Sequence, residues 1–283
     1  IKGDIRDIKL LENSCKQHEF FLHLACISND TSFALDEKLS TSINYDAFEP
    51  MVLAAKRAGI KRFIYASTSS VYGVSDKKNV TEDHPLVPLT LYNKYKGMCE
   101  PILLKHVDKK FEGVIFRPAT VCGYAPRLRL DLSVNILTNH AIVNNKIIVF
   151  GGNQLRPNLH VMDYCDVVKL LITAPADKIN KEIFNVGYQN MSIKDIAELV
   201  KKVIEKEFPD KKNIKIEKQE SNDNRSYHIN SDKIFNRLGF KAKRSIEDAI
   251  KSLAESFKKG LINESFDNDI YYNVKRIKNL RAK

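Results

Sequence analysis

Residues 61–73 change character halfway along the segment, and this change constrains the fold strongly. The first half, around Phe63 and Ile64, is apolar and rich in β-formers, as buried strands are. The second half is a run of hydroxyl side chains that ends at Gly73. Hydroxyls at the carboxyl end of a strand lie where open α/β sheets bind ligands. Because strand-like and helix-like segments alternate along the chain, we predict an α/β fold.

A helix-compatible run follows over residues 89–105, interrupted only by Pro101. Residues four apart share one face of a helix, so Tyr92 and Lys96 are predicted to point the same way. A free tyrosine has a pKa of about 10, and a cation within about 4–6 Å lowers that pKa by favouring the phenolate. We therefore expect Lys96 to lower the pKa of Tyr92, which could then exchange a proton with a hydroxyl or a ketone. The alternative is that this spacing arises by chance.

Other segments give simpler signals. His23 lies in an apolar, strand-like segment and is predicted to be a core histidine rather than a base. Gly59 ends a helical region in the manner usual for helix C-termini. Ser192 can cap an amphipathic helix, with Asp195 at the third helical position. The predicted segments are a buried strand over 20–25, a helical region over 34–59, a strand over 113–118 and a helix over 192–208.

The motifs around Thr68 and Tyr92 together carry a family resemblance. Thr68 stands four residues before the tyrosine of Val-Tyr-Gly, and Tyr-x-x-x-Lys begins at Tyr92. This combination resembles the extended short-chain dehydrogenase/reductases, and within them the NAD-dependent nucleotide-sugar epimerase and dehydratase branch. The resemblance runs from Gly3 to about Phe257.

The resemblance implies a Rossmann-like, doubly wound parallel sheet. Residues 1–120 correspond to the NAD-binding domain, and residues 121–283 mostly to a smaller C-terminal α/β substrate-binding part, with interleaved segments. The Gly-rich loop that holds a dinucleotide pyrophosphate, and the later residue that reads the adenosine ribose, are not in this sequence. The family would place roughly fifty more residues before Ile1, so we expect an N-terminally incomplete Rossmann-like unit and a longer natural protein. NAD rather than NADP is the cofactor that the resemblance implies.

Carried over residue by residue, the resemblance assigns Thr68, Tyr92 and Lys96 to catalysis. Tyr92 would remove a proton from a sugar hydroxyl, and Thr68 would hydrogen-bond the same hydroxyl. Lys96 would lower the pKa of Tyr92 and hold the nicotinamide ribose. The implied cofactor contacts are Asp4, which reaches the adenine amine, with Ile5, Leu24, Ala25, Cys26, Asn44, Ser67, Tyr92, Lys96 and Pro118.

The resemblance also implies a substrate site for a nucleotide-diphosphate sugar. Arg156 and Arg225, from separate loops, would bind the diphosphate, because planar guanidinium groups suit phosphate oxygens. Surface salt bridges are the alternative role for each. The run Arg-x-Arg-Leu-Asp that starts at Arg127 is similar to a subgroup that includes GDP-heptose 4-dehydrogenases of bacterial surface-sugar pathways. The implied substrate contacts are Thr68, Thr120, Asn135, Arg156 and Arg225.

One departure from the family pattern bears on the reaction. The 4,6-dehydratases of the family carry Asp-Glu directly after the catalytic threonine, whereas this chain has Ser69 and Ser70. This difference argues against dehydration and leaves an epimerase, a dehydrogenase or a reductase. We therefore expect NAD-dependent oxidation or epimerisation at C4 of a nucleotide-diphosphate sugar, in surface-polysaccharide sugar biosynthesis. The alternative is a non-catalytic sugar-nucleotide-binding or regulatory protein that lost its cofactor loop.

Composition and charge limit the partners, the metal sites and the location that we expect for this chain. The net charge of +11 suits a dianionic nucleotide substrate, and the basic segment from Ile270 has no recognised nucleic-acid motif, so nucleic acid is not an expected partner. The five cysteines are scattered, so reduced thiols and no metal site are expected. No run reaches about eighteen apolar residues and no signal-peptide pattern is present, so no membrane span and a cytoplasmic location are expected. From the resemblance we expect a homodimer, paired through residues 34–59 and the Tyr92 helix.

Overall fold

The computed structural model describes residues 1–75, 77, 79–220 and 226–280. Short 3₁₀ turns cover Ser69–Tyr72 and Asp269–Tyr271, and a π-helical turn covers Ser42–Asp46. The strands, in chain order, are β1 (Phe20–His23), β2 (Arg62–Ala66), β3 (Glu112–Pro118), β4 (Thr120–Cys122), β5 (Lys146–Phe150), β6 (Leu155–His160), β7 (Ile183–Val186), β8 (Gln189–Ser192) and β9 (Lys215–Gln219). The helices are α1 (Ile8–Cys15), α2 (Asp30–Phe33), α3 (Glu37–Thr41), α4 (Phe48–Arg57), α5 (Leu91–His106), α6 (Ser133–Asn144), α7 (Val161–Thr173), α8 (Ala176–Ile179), α9 (Ile193–Glu207), α10 (Asp232–Leu238), α11 (Ile246–Lys258) and α12 (Asn273–Leu280).

The central sheet is parallel and has helices on both faces. Its strands follow the order β1-β2-β3-β7. Successive side chains of β2 alternate between the faces, as the pleat requires. Phe63 and Tyr65 pack with residues of α1, α4 and α5, while Ile64 and Ala66 pack with residues of α7, α8 and α10. This arrangement confirms the doubly wound, Rossmann-like α/β fold predicted from the sequence.

Strand β1 is shorter and less buried than the sequence predicts. It ends at His23, and 41% of the surface of Phe20 is exposed. Within the part of the chain that the structure describes, β1 pairs with β2 alone and lies at an edge of the sheet. The predicted strand is therefore confirmed over Phe20–His23, but its extension to residue 25 and its full burial are wrong, because a short apolar run does not distinguish a central strand from an edge strand.

The predicted helical region over residues 34–59 is interrupted. Helix α3 ends at Thr41, the π-helical turn follows, and α4 begins at Phe48. The turn carries Asn44, whose Oδ1 accepts a hydrogen bond from Ile27 N at 2.8 Å and whose Nδ2 donates to Ile27 O at 2.9 Å. π-Helical turns are rare and frequently occur at functional sites. This one directs Asn44 at the loop that follows β1.

Helix α5 matches the helix predicted over residues 89–105 to within two residues at each end. Thr90 caps it, because its Oγ1 accepts a hydrogen bond from Asn93 N at 3.3 Å. Pro101 lies inside the helix. The first turn of α5 contains Tyr92, and the second contains Lys96, so the helix brings both to the carboxyl end of β2.

The later part of the chain builds a second layer of structure. Strands β4 and β8 flank β6, β5 pairs with β9, and α6, α9 and α11 pack around them. Helix α9 is capped by Ser192, whose Oγ accepts from Asp195 N at 3.1 Å, as predicted. Strand β7 pairs with β3 and so belongs to the central sheet. The division of the chain into two domains near residue 120 remains a prediction. None of the helices in the described residues has the length and apolar character that crossing a bilayer requires.

His23 gives the core a dependence on pH. The side chain is 4% exposed, and burial lowers its pKa to about 3, helped by the charge of Lys96. An unfolded histidine has a pKa of about 6.5, so between these values the unfolded chain binds more protons and stability is lost as the pH falls. Between about pH 6 and pH 5 we expect the free energy of unfolding to fall by up to about 1.4 kcal/mol more than in His23→Gln. Urea unfolding at each pH measures this difference.

The matched control for this prediction is His18→Gln. His18 is exposed, and its Nδ1 lies 3.0 Å from Lys16 O. Its replacement removes an exposed histidine and leaves the buried one in place, so it gives the reference for the His23 variant. If His23→Gln kept the same pH dependence as the natural protein, burial of a neutral His23 would be the wrong account.

Candidate active site

A cavity of about 990 Å³ opens at the carboxyl end of the central sheet. Leu24 follows β1, Ala66 ends β2 and Pro118 ends β3, and all three line the cavity. The opposite wall consists of residues between 120 and 164, with Ile193 and Tyr227. Open α/β sheets bind ligands at this edge, so the cavity lies where the topology predicts a site.

The cavity brings together most of the residues predicted for the site. Asp4, Ile5, Ala25 and Asn44 are not among its described lining residues. Arg225 lies outside the residues that the structure describes. The predicted residues that line the cavity are Leu24, Cys26, Ser67, Thr68, Tyr92, Lys96, Pro118, Thr120, Asn135 and Arg156.

Asp4 and Asn44 have other partners in the structure. The Asp4 carboxylate is paired with Arg6, with 2.6 Å between Oδ2 and the guanidinium, and hydrogen bonds from Arg6 lower the pKa of Asp4. Arg6 also donates to Ser42 Oγ at 3.1 Å. The amide of Asn44 holds Ile27 from both sides, so its side chain fixes the loop after β1 and does not face the cavity.

Tyr92 is half-buried in the cavity wall, and burial raises its pKa well above the usual value. The neighbouring Cys26 and Asp30 raise this pKa further, while the charge of Arg129 lowers it. Lys96 is not among the main causes of this shift, and its Nζ donates to Ala66 O at 2.8 Å and lies 5.0 Å from the centre of the Tyr65 ring. The pKa of Tyr92 is therefore raised, whereas the four-residue spacing to Lys96 predicted a lowered pKa.

Thr68 heads a chain of polar side chains. Its Oγ1 lies 2.8 Å from Ser70 Oγ, and Ser70 Oγ donates a hydrogen bond to Asn93 Oδ1. A serine hydroxyl has one proton, so Thr68 must be the donor to Ser70. Thr68 Oγ1 also accepts from Ser70 N at 3.2 Å. Asn93 is fully buried, and its Nδ2 has no hydrogen-bond partner among the described residues.

A buried ionic cluster fixes helix α5 against the ends of β2 and β3. Glu100 lies two turns after Tyr92 on α5, and Arg117 donates to its two carboxylate oxygens at 2.9 and 2.6 Å. Ser67 Oγ donates to the same carboxylate at 2.6 Å. Arg117 also donates to Tyr72 Oη at 2.7 Å. Ser67 thus lines the cavity but directs its hydroxyl proton away from it.

Side-chain amides hold the opposite wall in place. Asn135, 3% exposed, donates from Nδ2 to Arg129 O at 2.9 Å and accepts at Oδ1 from Gly123 N at 3.0 Å. Arg156 lines the cavity from β6 and donates to Leu155 O at 3.0 Å. Asn158 Nδ2 donates to Arg156 O at 2.7 Å, which holds that strand segment in place.

The structure adds residues that the sequence did not identify as part of the site. Arg129 and Asp131 line the cavity and are joined by hydrogen bonds of 2.9 and 3.2 Å. Tyr164 lines it as well, and burial raises its pKa. The Arg-x-Arg-Leu-Asp run was the available signal for Arg129 and Asp131, whereas the sequence around Tyr164 is that of an ordinary helix.

A family model described as the NAD dependent epimerase/dehydratase family matches residues 1–187. The chain belongs to the NAD-dependent epimerase/dehydratase family. This membership confirms the family and the cofactor expected from the sequence.

The relatives of this epimerase/dehydratase chain include both dehydratases and epimerases. It is 29% identical over 275 residues to a dTDP-D-glucose 4,6-dehydratase of Mus musculus, covering 93% of this chain and 75% of the relative. It is 23% identical over 258 residues to a UDP-glucose 4-epimerase of Rhizobium meliloti, covering 84% and 77%. A solved structure of MoeE5 in complex with UDP-glucose and NAD has a TM-score of 0.80 and 22% identity, covering 92% of this chain and 86% of that one.

The hydrogen-bond donors that face the cavity fit a nicotinamide nucleotide, the cofactor of this epimerase/dehydratase family. An ammonium has three donors, and within the described residues the Lys96 ammonium makes one hydrogen bond, to Ala66 O. The remaining donors are open to a ligand hydroxyl in the cavity. Small side chains at Cys26 and Ala66 let a ligand lie close to the ends of β1 and β2.

Proposed function

We propose that this protein oxidises or epimerises C4 of a nucleotide-diphosphate sugar with NAD. The observation that carries the proposal is the convergence of Thr68, Tyr92 and Lys96 in one cavity at the carboxyl end of the parallel sheet. NAD, when bound, supplies the hydride acceptor. The chain itself supplies proton transfer, orientation of the sugar and binding of the diphosphate.

Tyr92 is the proposed acid and base. With its pKa raised by burial, Tyr92 holds its proton in the described state, which suits delivery of that proton to a ketone oxygen. Removing a proton from an alcohol requires a lower pKa, and cations beside the phenol provide it. Arg129 is one such cation here, and Lys96 becomes a second if its ammonium leaves Ala66 O.

Dehydration is not the reaction we propose. Elimination of water needs an acid and a base near C5 and C6 of the sugar, and Ser69 and Ser70 stand where the dehydratases have carboxylic acids. Among the described lining residues, the carboxylates are those of Asp30 and Asp131. Asp30 accepts from Thr90 Oγ1, and Asp131 is bound by Arg129, so both are already engaged.

Further proposals concern the setting of the reaction. We propose surface-polysaccharide sugar biosynthesis as its pathway class. In support, the names of the Mus musculus and Rhizobium meliloti relatives give nucleotide-linked sugars as their substrates. We also propose a homodimer in which α4 and α5 of two subunits form a four-helix bundle.

The decisive test is to incubate the full-length protein with NAD and a panel of nucleotide sugars. NADH absorbance and product mass are then followed. We expect at least one nucleotide sugar to be converted, either with NADH release or to an epimer of unchanged mass. A product lighter by one water would identify a dehydratase, and binding without conversion would identify a sugar-nucleotide-binding protein.

Replacing Arg156 should weaken substrate binding more than turnover. A charge-assisted hydrogen bond contributes about 1.5–3 kcal/mol, so Arg156→Ala should raise KM roughly ten- to a hundredfold. The effect on kcat should be small, because a diphosphate contact is remote from the reacting carbon. Steady-state kinetics with the converted nucleotide sugar measures both.

The control for Arg156 is Arg237→Ala. Arg237 lies outside the cavity, where it contacts Glu182 at 2.8 Å and Lys178 O at 2.8 Å. This variant should keep the KM of the natural protein. A normal KM in Arg156→Ala would remove Arg156 from the proposed diphosphate site.

A further inference from the structure

The C-terminal segment after α11 packs on the wall of the cavity opposite the strand ends, where we propose that the substrate binds. Ile262 and Tyr271 form a buried apolar cluster with Leu128, Leu130 and Leu253. The backbone of Leu130 also donates to Tyr271 O at 2.9 Å. The loop that carries Arg127 to Asp131 is therefore held from outside by the end of the chain.

Asn273, the first residue of α12, contacts both walls of the cavity. Its Nδ2 donates to Ser28 Oγ at 2.8 Å and to Ser28 O at 3.3 Å, and Ser28 lies in the loop after β1. Its backbone N donates to Asp131 Oδ2 at 3.3 Å, and its Oδ1 accepts from Arg127 at 2.9 Å. One side chain thus joins the cofactor side of the cavity to the substrate side.

Arg129 completes a closed ring of hydrogen bonds with the same partners. Its guanidinium donates to Asp131 at 2.9 and 3.2 Å and to Ser28 Oγ at 3.2 Å. Asn29 adds a bond to Asp131 Oδ2 at 3.3 Å. The position of the Arg129 charge therefore depends on two residues that Asn273 holds.

We propose that Asn273 is a positioning residue, which clamps the two walls of the cavity together and fixes the Arg129 guanidinium in the cavity that Tyr92 also lines. The link to catalysis rests on the proposed function, while the clamp itself does not. The side chain of Asn273 takes part in the ring of hydrogen bonds, whereas proton transfer is assigned to Tyr92. The titratable groups with the largest effects on the pKa of Tyr92 are Cys26, Arg129, Asp30 and Tyr164, and Lys96 lies one turn further along the same helix.

The clamp is tested without any substrate, by hydrogen exchange on the full-length protein. In Asn273→Ala, we expect faster exchange of backbone amides in residues 27–31 and 127–132. The control is Asn279→Ala on the same helix, where Asn279 Nδ2 donates to Asp269 Oδ2 at 3.0 Å and contacts neither wall. Unchanged exchange in Asn273→Ala would overturn the clamp.

The effect on catalysis is read from the pH profile of kcat/KM for sugar oxidation. If Arg129 moves away, its pKa-lowering effect on Tyr92 is lost and the rising limb of the profile shifts to higher pH. At neutral pH we expect kcat/KM to fall about three- to tenfold in Asn273→Ala, as for the loss of one or two hydrogen bonds. Arg129→Gln should shift the limb in the same direction, and Asn279→Ala should not shift it.

Combining Arg129→Gln with Asn273→Ala separates positioning from general stability. If Asn273 acts through Arg129, the double variant should have nearly the pH profile of Arg129→Gln alone. An unshifted profile in Asn273→Ala, with exchange accelerated, would overturn the positioning of Arg129. If the natural protein converts no nucleotide sugar, the proposed function fails, and the exchange measurement still decides the clamp.

Discussion

Tyr92→Phe is expected to lower kcat by about 10²–10⁴-fold, the usual contribution of a general acid–base group. The ring and its packing in the cavity wall are retained, and only the proton-transferring oxygen is lost. Binding of the nucleotide sugar should therefore remain nearly intact. Single-turnover kinetics with the converted substrate, together with calorimetric titration, measure the two quantities separately.

The chain offers a matched control in Tyr95→Phe. Tyr95 lies on the same helix and stacks on Tyr45, with ring centres 4.9 Å apart, but it does not line the cavity. Its loss of a hydroxyl should leave kcat unchanged. Lys96→Met should lower turnover and also weaken NAD binding, because we assign to Lys96 both a part in catalysis and the binding of the nicotinamide ribose. Near-normal turnover in Tyr92→Phe would refute the central assignment.

Breaking the ion pair between Glu100 and Arg117 should have the largest effect on stability. Their side chains are only 3% and 4% exposed. Removing one partner of a buried pair leaves the other charge uncompensated, which typically costs about 3–5 kcal/mol. Glu100→Gln should lower the free energy of unfolding by this amount, because Arg117 and Ser67 lose the carboxylate that binds them. Urea unfolding at neutral pH measures the loss.

The control for this prediction is Glu255→Gln. Glu255 pairs with Lys259 one turn along α11, and both side chains are more than half exposed. Exposed pairs of this kind contribute little to stability, so this variant should unfold nearly as the natural protein does. Equal effects of the two substitutions would show that burial does not set the strength of the Glu100 pair.

The sequence predicted features that depend on residues close together in the chain. The spacing of Tyr92 and Lys96, the cap at Ser192 and the apolar pattern of β2 are local signals, and each is found in the structure. The pKa of Tyr92 could not be predicted in the same way. Its direction depends on burial and on charges from other parts of the chain, such as Cys26 and Arg129, and a four-residue spacing encodes neither.

Contacts between distant parts of the chain were also out of reach. Ser28 and Asn273 are 245 positions apart, and no periodicity relates them. The edge position of β1 depends on strand order, and the attachment of Asn44 to Ile27 depends on a π-helical turn that propensity does not reveal. Asn44 and Lys96, whose surroundings the sequence did not predict, both bind backbone atoms of another part of the chain.

The chain from Thr68 through Ser70 to Asn93 has a consequence for what the resting site can accept. Thr68 gives its only proton to Ser70, so it presents a lone pair to the cavity. An alcohol can donate to that lone pair, but a ketone has no proton to offer and would meet oxygen against oxygen. For a ketone to bind Thr68, the hydroxyl of Thr68 must rotate and release Ser70. On the proposed function, a sugar hydroxyl therefore fits the hydrogen bonds of Thr68 as they stand, whereas a keto sugar requires Thr68 to turn first.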